Sequence, residues 1–405
     1  MKKYAVVFAL FILSMITYID RVCISAAKTP IAAELQLSDT AIGLVFSVFA
    51  LGYALAQIPA GWFADKFGPR NALVGVVGAW SVFTALTGAS WSLTSLVAIR
   101  FLFGVAEAGA FPGSARAIRN WLPAGERGLA NGILFSGSRL GAAVSFPLLA
   151  WMLSRWSWRA SFLILGIAGL SWAAFWLLWF RNRPTTPLPE DHSVTVEPSL
   201  GVIFRSKAML LAMTQYFASN FTFFLCLSWM LPYLKKQYLL SDSTAAAYAM
   251  TPLLFGATSQ WLAGWLVDRI YHSPLHAWSR RLPGMLGFGL GVIGLLAVTR
   301  ATTPDMAVLY FALAVFGTDM TISPSWVFCS DVAGKNTGAV SGAMNMLGNI
   351  GSFASANAFP YLERMTGSAS AYFAVAATLN LIGAVCWFHM RSTEHIPTTE
   401  AEAHP

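Results

Sequence analysis

From residue 4 to residue 390 the chain is one apolar run after another, each about 20 residues long and each ended by a few polar residues. A run of that length and composition is what an α-helix needs to cross the hydrocarbon core of a bilayer, where every backbone N–H and C=O must be satisfied within the segment itself. The runs fall at 4–27, 40–63, 71–90, 93–118, 128–152, 158–180, 208–233, 244–267, 282–299, 306–328, 337–360 and 369–390, and together they consume nearly all of the 405 residues. Composition agrees: 56% of residues are hydrophobic and only 11% charged, with a mean hydropathy of +0.60, outside the range of a soluble globular chain. The expected fold is therefore an all-α membrane protein of twelve transmembrane helices, with no room for a sizeable soluble domain. Lys2 and Lys3 precede an apolar stretch as they would in a signal peptide. That stretch runs on through Tyr18, Asp20 and Arg21 without a small-residue cleavage pattern, so it reads as the first span.

Placing both termini on the cytoplasmic side puts sixteen lysines and arginines in the segments of that side and seven in those of the other, in keeping with the positive-inside rule. The net charge of +8 thus records cytoplasmic loops and not an affinity for nucleic acid. Cys23, Cys226, Cys329 and Cys386 sit in apolar runs without metal-type spacing and read as small core residues. No spaced histidine cluster, phosphate-cradling loop or Ser-His-Asp set is present, so the sequence calls for no metal, no cofactor and no enzymatic activity.

The one long polar stretch, rich in proline between 184 and 198, divides the chain into an N-terminal bundle (1–183), a cytoplasmic linker (184–206), a C-terminal bundle (207–391) and a cytoplasmic tail (392–405). Gly61-Trp62-Phe63-Ala64-Asp65-Lys66 after the second span returns as Gly264-Trp265-Leu266-Val267-Asp268-Arg269 after the eighth, 203 positions later (264 minus 61). Glu126-Arg127-Gly128 is echoed by Asn336-Thr337-Gly338. Two pseudo-symmetric six-helix halves are the pattern of transporters whose substrate site lies at mid-membrane between repeats.

The run Gly61 to Arg70 resembles the loop signature of the major facilitator superfamily, Gly-x-x-x-Asp-(Arg/Lys)-x-Gly-x-Arg. The resemblance implies gating roles for Gly61, Asp65, Arg70 and, in the second half, Asp268. Physically, an aspartate near helix ends is a charge-dipole latch that must release when the halves rock. Tyr18-Ile19-Asp20-Arg21 in the first span, with Arg100 to Glu107 and Phe111-Pro112 in the fourth, is similar to the anion:cation symporter family of bacterial sugar-acid carriers, sialin and the vesicular glutamate transporters. That resemblance implies a proton-coupled carrier of carboxylates, with Arg21 on the substrate, Asp20 and Glu107 carrying the proton, and Arg100 as the partner of Glu107.

Independently of family, an ionisable residue deep in an apolar span is expensive unless paired or hydrated and is a functional candidate by default. Arg100 and Glu107 are seven apart and share a helix face, whereas Asp20 and Arg21 are about 100° apart and cannot both point into one site. Arg21 and its neighbour Tyr18 are expected at the substrate, since a planar fork that stays charged suits a carboxylate, and a desolvated Asp20 can take a proton. Arg139 is a third candidate anion ligand, with snorkelling at a helix end as the alternative. Asp319 is a candidate for the proton relay, for a substrate hydroxyl, or for local backbone satisfaction. Gln215, Tyr216, Asn220, Ser323, Trp326, Asn345 and Asn349 are expected to line the opposite half, each with the alternative of an interhelical hydrogen bond. The resulting expectation is a monomeric proton symporter importing a small organic anion, such as a sugar acid, through a bacterial inner membrane. A proton-antiporting exporter, an anion exchanger and a non-transporting anion sensor stand as alternatives.

Overall fold

The computed structural model describes residues 3–184 and 199–390. The tail at 392–405, most of the linker, Lys2 and Arg391 lie outside the described residues, as does the side chain of Cys226. Every regular element among the described residues is helical: α1 (Lys3–Ala26), α2 (Lys28–Leu35), α3 (Asp39–Thr87), α4 (Leu93–Glu107), α5 (Ala110–Trp121), α6 (Arg127–Arg155), α7 (Trp158–Trp179), α8 (Leu200–Arg205), α9 (Lys207–Ser228), α10 (Met230–Tyr238), α11 (Asp242–Tyr271), α12 (Arg281–Val298), α13 (Pro304–Met320), α14 (Ile322–Ala333), α15 (Thr337–Thr366) and α16 (Ser370–His389).

Short polar residues between the apolar runs start these helices. Ser38, Ser92, Ser157, Ser199, Ser206 and Ser241 each accept a hydrogen bond from the backbone N–H three residues on, and Thr303 does the same ahead of Pro304 at the first position of α13. Seven helical stretches among the described residues are long and apolar enough to cross a membrane, or nine if two bent pairs, 124–155 and 207–238, count as one each. Two of the seven, Thr40–Thr87 and Pro304–Thr366, have 48 and 63 residues. At 1.5 Å per residue they are about 72 and 95 Å long, more than twice the roughly 30 Å of hydrocarbon, so each holds two crossings. The first turns at Gly68 (φ 78°, ψ 155°) and the second at Gly334 (φ 54°, ψ −121°), both in backbone regions that glycine alone adopts without strain. With α11, 30 residues long but outside those stretches, these make the twelve crossings expected.

Two compact units emerge: Met1–Trp121, Gly137–Leu188 and Lys335–Met346 form the first, and Leu122–Ser136, Pro189–Gly334 and Leu347–Pro405 the second. In the first unit α3 packs along α4 and α7, and a buried apolar cluster joins Cys23, Ile31, Val45, Leu96, Leu149 and Phe162. Helix α4 reaches α3 through Gly104, where a Cβ would come within 2.3 Å of the Phe49 carbonyl oxygen. Gly137 of α6 plays the same part against α1, 2.5 Å from the Phe11 oxygen. Helix α2, which periodicity does not foretell, is tied to α7 by Glu34, which accepts from Trp158 Nε1 at 2.6 Å and pairs with Arg159 at 2.9 Å. In the second unit α12 packs on α13 and α16, α11 on α13, and α9 on α16, around Phe221, Leu295, Phe311, Tyr372 and Phe373. Cys23, Cys329 and Cys386 are buried free thiols.

Candidate functional site

The first unit concentrates its polar chemistry where α1, α3 and α4 meet. Adjacent residues on α1 diverge as helical geometry requires. Asp20, 1% exposed, turns to α3, where one carboxylate oxygen accepts from Trp80 Nε1 at 3.1 Å and Thr84 Oγ1 at 3.4 Å. Arg21 turns to α4 and pairs through Nε with Glu107 Oε1 at 2.5 Å, a contact between a side chain 18% exposed and one fully buried. The Arg21 guanidinium also lies 4.4 Å from the Tyr53 ring and 5.1 Å from that of Tyr18, so aromatic faces supply part of its solvation.

The expectation that Arg100 partners Glu107 is corrected. A shared helix face separates the two by two turns of helix axis, roughly 10 Å, whereas Arg21 approaches Glu107 from the neighbouring helix. Arg100, 1% exposed, instead rests against the rings of Phe103 (4.4 Å) and Phe49 (5.0 Å). Phe49 also lies 5.6 Å from the Arg21 guanidinium, so one ring serves two cations.

Four buried atoms of this cluster have no hydrogen-bond partner: Asp20 Oδ1, Arg21 Nη2, Arg100 Nε and Glu107 Oε2. Buried polar atoms left unsatisfied cost about 1–3 kcal/mol each, more when charged, so such a concentration singles this cluster out as the candidate site. Arg139, also in the first unit, is 4% exposed and donates to Ser138 Oγ at 3.5 Å; it lies in the interior of α6 and does not snorkel to a helix end. Asn345 donates to the hydroxyl of Tyr53 at 3.2 Å and to Gln57 Oε1 at 3.1 Å. Tyr53, Gln57, Trp80 and Thr84 escape the sequence reading. The i, i+4 spacing of Tyr53 and Gln57 in an apolar span was the available signal for the first two.

The candidates expected in the second unit are neutral apart from Asp319, while its buried arginines, Arg127 and Arg280, pair with Asp331 at 3.5 and 3.0 Å. Gln215 donates to Ser325 Oγ and the Ala212 carbonyl, both at 3.0 Å, and accepts from Trp387 Nε1 at 3.2 Å, which ties α9 to α14 and α16. Trp326, fully buried, donates to the Tyr216 hydroxyl at 2.9 Å and has the Phe135 ring 4.8 Å away. Asn220 donates to the Tyr216 carbonyl at 2.9 Å, Ser323 to that of Gly128 at 2.6 Å, and Asn349 is half-buried on α15. Asp319 is fully buried, with a carboxylate oxygen 2.1 Å from where a Cβ on Gly256 would stand.

Each unit also contains a carboxylate clasp in the turns beyond the spans. Asp65 accepts from the backbone N–H groups of Gly338 and Ala339, both at 2.8 Å, with Arg116 Nε 3.7 Å away. Asp268 accepts from those of Gly128 and Leu129, again both at 2.8 Å. The acceptors thus sit on the positive N-termini of α15 and α6, where anionic charge is favoured. Burial nonetheless pushes both carboxyls up to about 6. Gly61 permits the first clasp, since a Cβ there would lie 2.1 Å from the Gly338 oxygen, and Arg70 anchors the same turn by donating Nε to the Leu177 carbonyl at 3.0 Å.

Comparison with known proteins completes the picture. The profile of the Major Facilitator Superfamily matches residues 10–356. A probable sulfoacetate transporter of Cupriavidus necator is 32% identical over 402 residues, covering 95% of this chain and 92% of that protein. A probable galactarate/D-glucarate transporter of Escherichia coli is 31% identical over 419 residues, covering 95% and 94%. Among solved structures, the proton:xylose symporter XylE bound to 6-bromo-6-deoxy-D-glucose superposes with a TM-score of 0.78 at 14% identity, covering 99% of this chain and 98% of that one, which speaks to the fold alone.

Proposed function

The chain belongs to the major facilitator superfamily, and from that premise we propose that it imports a small organic anion together with a proton, by alternating access, through a bacterial inner membrane. Its relatives carry names of sulfoacetate and of galactarate or D-glucarate transport, all acids ionised at neutral pH. The observation that carries the reading is the Arg21–Glu107 ion pair, buried, with Arg21 Nη2 and Glu107 Oε2 both unfilled.

A proton arriving on Glu107 Oε2 cancels the charge that holds Arg21. The freed guanidinium then offers its fork to the substrate's acid group, with Tyr18 and Tyr53 as walls. Asp20, held by Trp80 and Thr84 and still short of one partner, is the second proton acceptor of the cluster. Arg100 remains charged beside them and keeps the loaded site favourable for an anion. Within the second unit the amide of Gln215, engaged by Ala212, Ser325 and Trp387, acts as a cross-link. Carrying as many protons as the substrate has negative charges, one for a monoanion and two for a dianion, moves no net charge, so a pH difference drives uptake at about 1.4 kcal/mol per unit for each proton.

Proteoliposomes with an acidic exterior, offered a pool of sugar acids, sulfonates and dicarboxylates, test this. The unmodified protein accumulates an acid; Arg21→Ala abolishes binding and uptake. Glu107→Gln keeps counterflow exchange but loses gradient-driven accumulation. Movement of cationic compounds outward in place of acids inward would establish the exporter, exchange indifferent to pH the exchanger, and binding without counterflow the sensor.

A further inference from the structure

On one flank of the second unit, α11 and α12 each pack along α13 and barely touch one another. The result is a cleft of about 740 Å³, floored by Phe316 and walled by Leu286, Gly289 and Ile293, with Leu275 and Trp278 of the α11–α12 connection across one end. Leu275, Leu286 and Ile293 are more than half exposed, and a Cβ on Gly289 would meet nothing within 4 Å. A purely apolar cleft of this size has the volume of a small-molecule site but none of the convergent polar groups that orient a polar ligand.

The charge lies at the end. Of the arginines between Asp268 and Arg281, Arg280 is buried and paired with Asp331 at 3.0 Å, whereas Arg269 is exposed and Arg281 half-buried; Asp268, the one acid of the stretch, is committed to the N-terminus of α6. Arg281 places its guanidinium 4.0 Å from the ring of Trp278, donates Nε to the Trp387 carbonyl at 3.3 Å and Nη2 to that of Phe388, so a cation is fixed beside the lining of the cleft. A hydrocarbon slot between helices, ending beside Arg281 on the side that the lysine and arginine bias assigns to the cytoplasm, matches an acyl chain joined to a negatively charged headgroup.

We infer that this cleft is a binding site for one anionic phospholipid, with an acyl chain along Leu286, Gly289 and Ile293 and the phosphate at the Arg281 end. Walls from three helices and a fixed cation distinguish it from the convex lipid-facing surface, which selects no headgroup. The site does not depend on what is transported.

Native mass spectrometry of detergent-purified protein titrated with phosphatidylglycerol or phosphatidylcholine tests the inference. The unmodified protein should retain one phosphatidylglycerol at concentrations where phosphatidylcholine is lost. Gly289→Leu, whose side chain enters open space, should weaken phosphatidylglycerol retention at least tenfold. Arg281→Gln should leave binding but remove the preference between headgroups. As a check without substitution, phosphatidylglycerol should raise the melting temperature of the unmodified protein more than phosphatidylcholine does. Equal retention of both lipids by the unmodified protein, equal shifts in melting temperature, or a Gly289→Leu protein that holds as much phosphatidylglycerol as the original would overturn it.

Discussion

The Asp65 and Asp268 clasps use the same chemistry, two carboxylate oxygens on two helix-terminal N–H groups at 2.8 Å, and the acceptors stand 203 positions apart (268 minus 65) while the donors stand 210 apart (338 minus 128). Two helical turns into the membrane the likeness ends. Gln57 meets Asn345, which also holds Tyr53, and Tyr53 lies under Arg21. At the repeat-related positions stand Gln260, Phe135 and Gly256, and Gln260 is fully buried with neither amide atom satisfied. The backbone crossings persist in both halves because glycine contacts fix them: Gly342 lies against the Gln57 oxygen at 2.5 Å and Gly132 against that of Gln260 at 2.3 Å. Side-chain chemistry is free to diverge on that shared frame. At the depth of these amides one region has been wired to a buried ion pair, and its repeat-related counterpart has glutamine, phenylalanine and glycine instead.

The largest effect expected from breaking this contrast is at the charged end. Glu107→Ala leaves Arg21 buried without its acid and should lower stability by about 3–5 kcal/mol, whereas the double replacement Arg21→Leu with Glu107→Leu should recover most of that loss in thermal unfolding while abolishing transport. A recovery of less than half would mean that the pair is not the principal counter-charge. Next come the crossings: Gly61→Ala and Gly264→Ala push a methyl to 2.1 Å from the Gly338 oxygen and 2.6 Å from the Gly128 oxygen. Each should cost about 1–3 kcal/mol, Gly61→Ala the more, as read by melting temperature.

The amides sharpen the comparison further. Gln57→Leu removes an acceptor from Asn345 and should cost about 1–3 kcal/mol; Gln260→Leu removes a polar group that has no partner and should be neutral or stabilising. Equal losses would show that Gln260 has acquired a partner, such as an ordered water. The smallest effect concerns pH. Both clasp carboxyls are raised to about 6, so the clasped arrangement binds protons more tightly than a solvated aspartate would. Its contribution is present in acid and lost as pH rises through about 6. Amide-exchange protection at Gly338 and Ala339 should fall across that range, and Asp65→Asn should abolish the dependence there while leaving it at Gly128 and Leu129.

Much of this architecture is legible in sequence because a bilayer reduces folding to a length and a polarity. The α3 turn is announced by Gly68-Pro69, the repeat by its glycines and aspartates, and the charged site by residues too expensive to bury idly. What spacing cannot supply is the identity of the helix opposite. Heptad arithmetic puts Arg100 and Glu107 on one face, yet the acid's partner comes from α1. Gln215 reads from sequence either as a ligand or as an interhelical hydrogen bond, and only the fold shows Ser325 and Trp387, both more than a hundred residues away, bonded to its amide. Tyr53 has no charge to draw notice and gains meaning only from the guanidinium above it.

Gly104 has no polar atom, yet its contact with the Phe49 carbonyl sets where that ring stands, and the ring is shared by Arg21 and Arg100. A methyl added there would act as a wedge under the support of two cations at once. In a transport assay Gly104→Ala should therefore behave as a change of charge, altering the pH dependence of uptake although no titrating group has been touched.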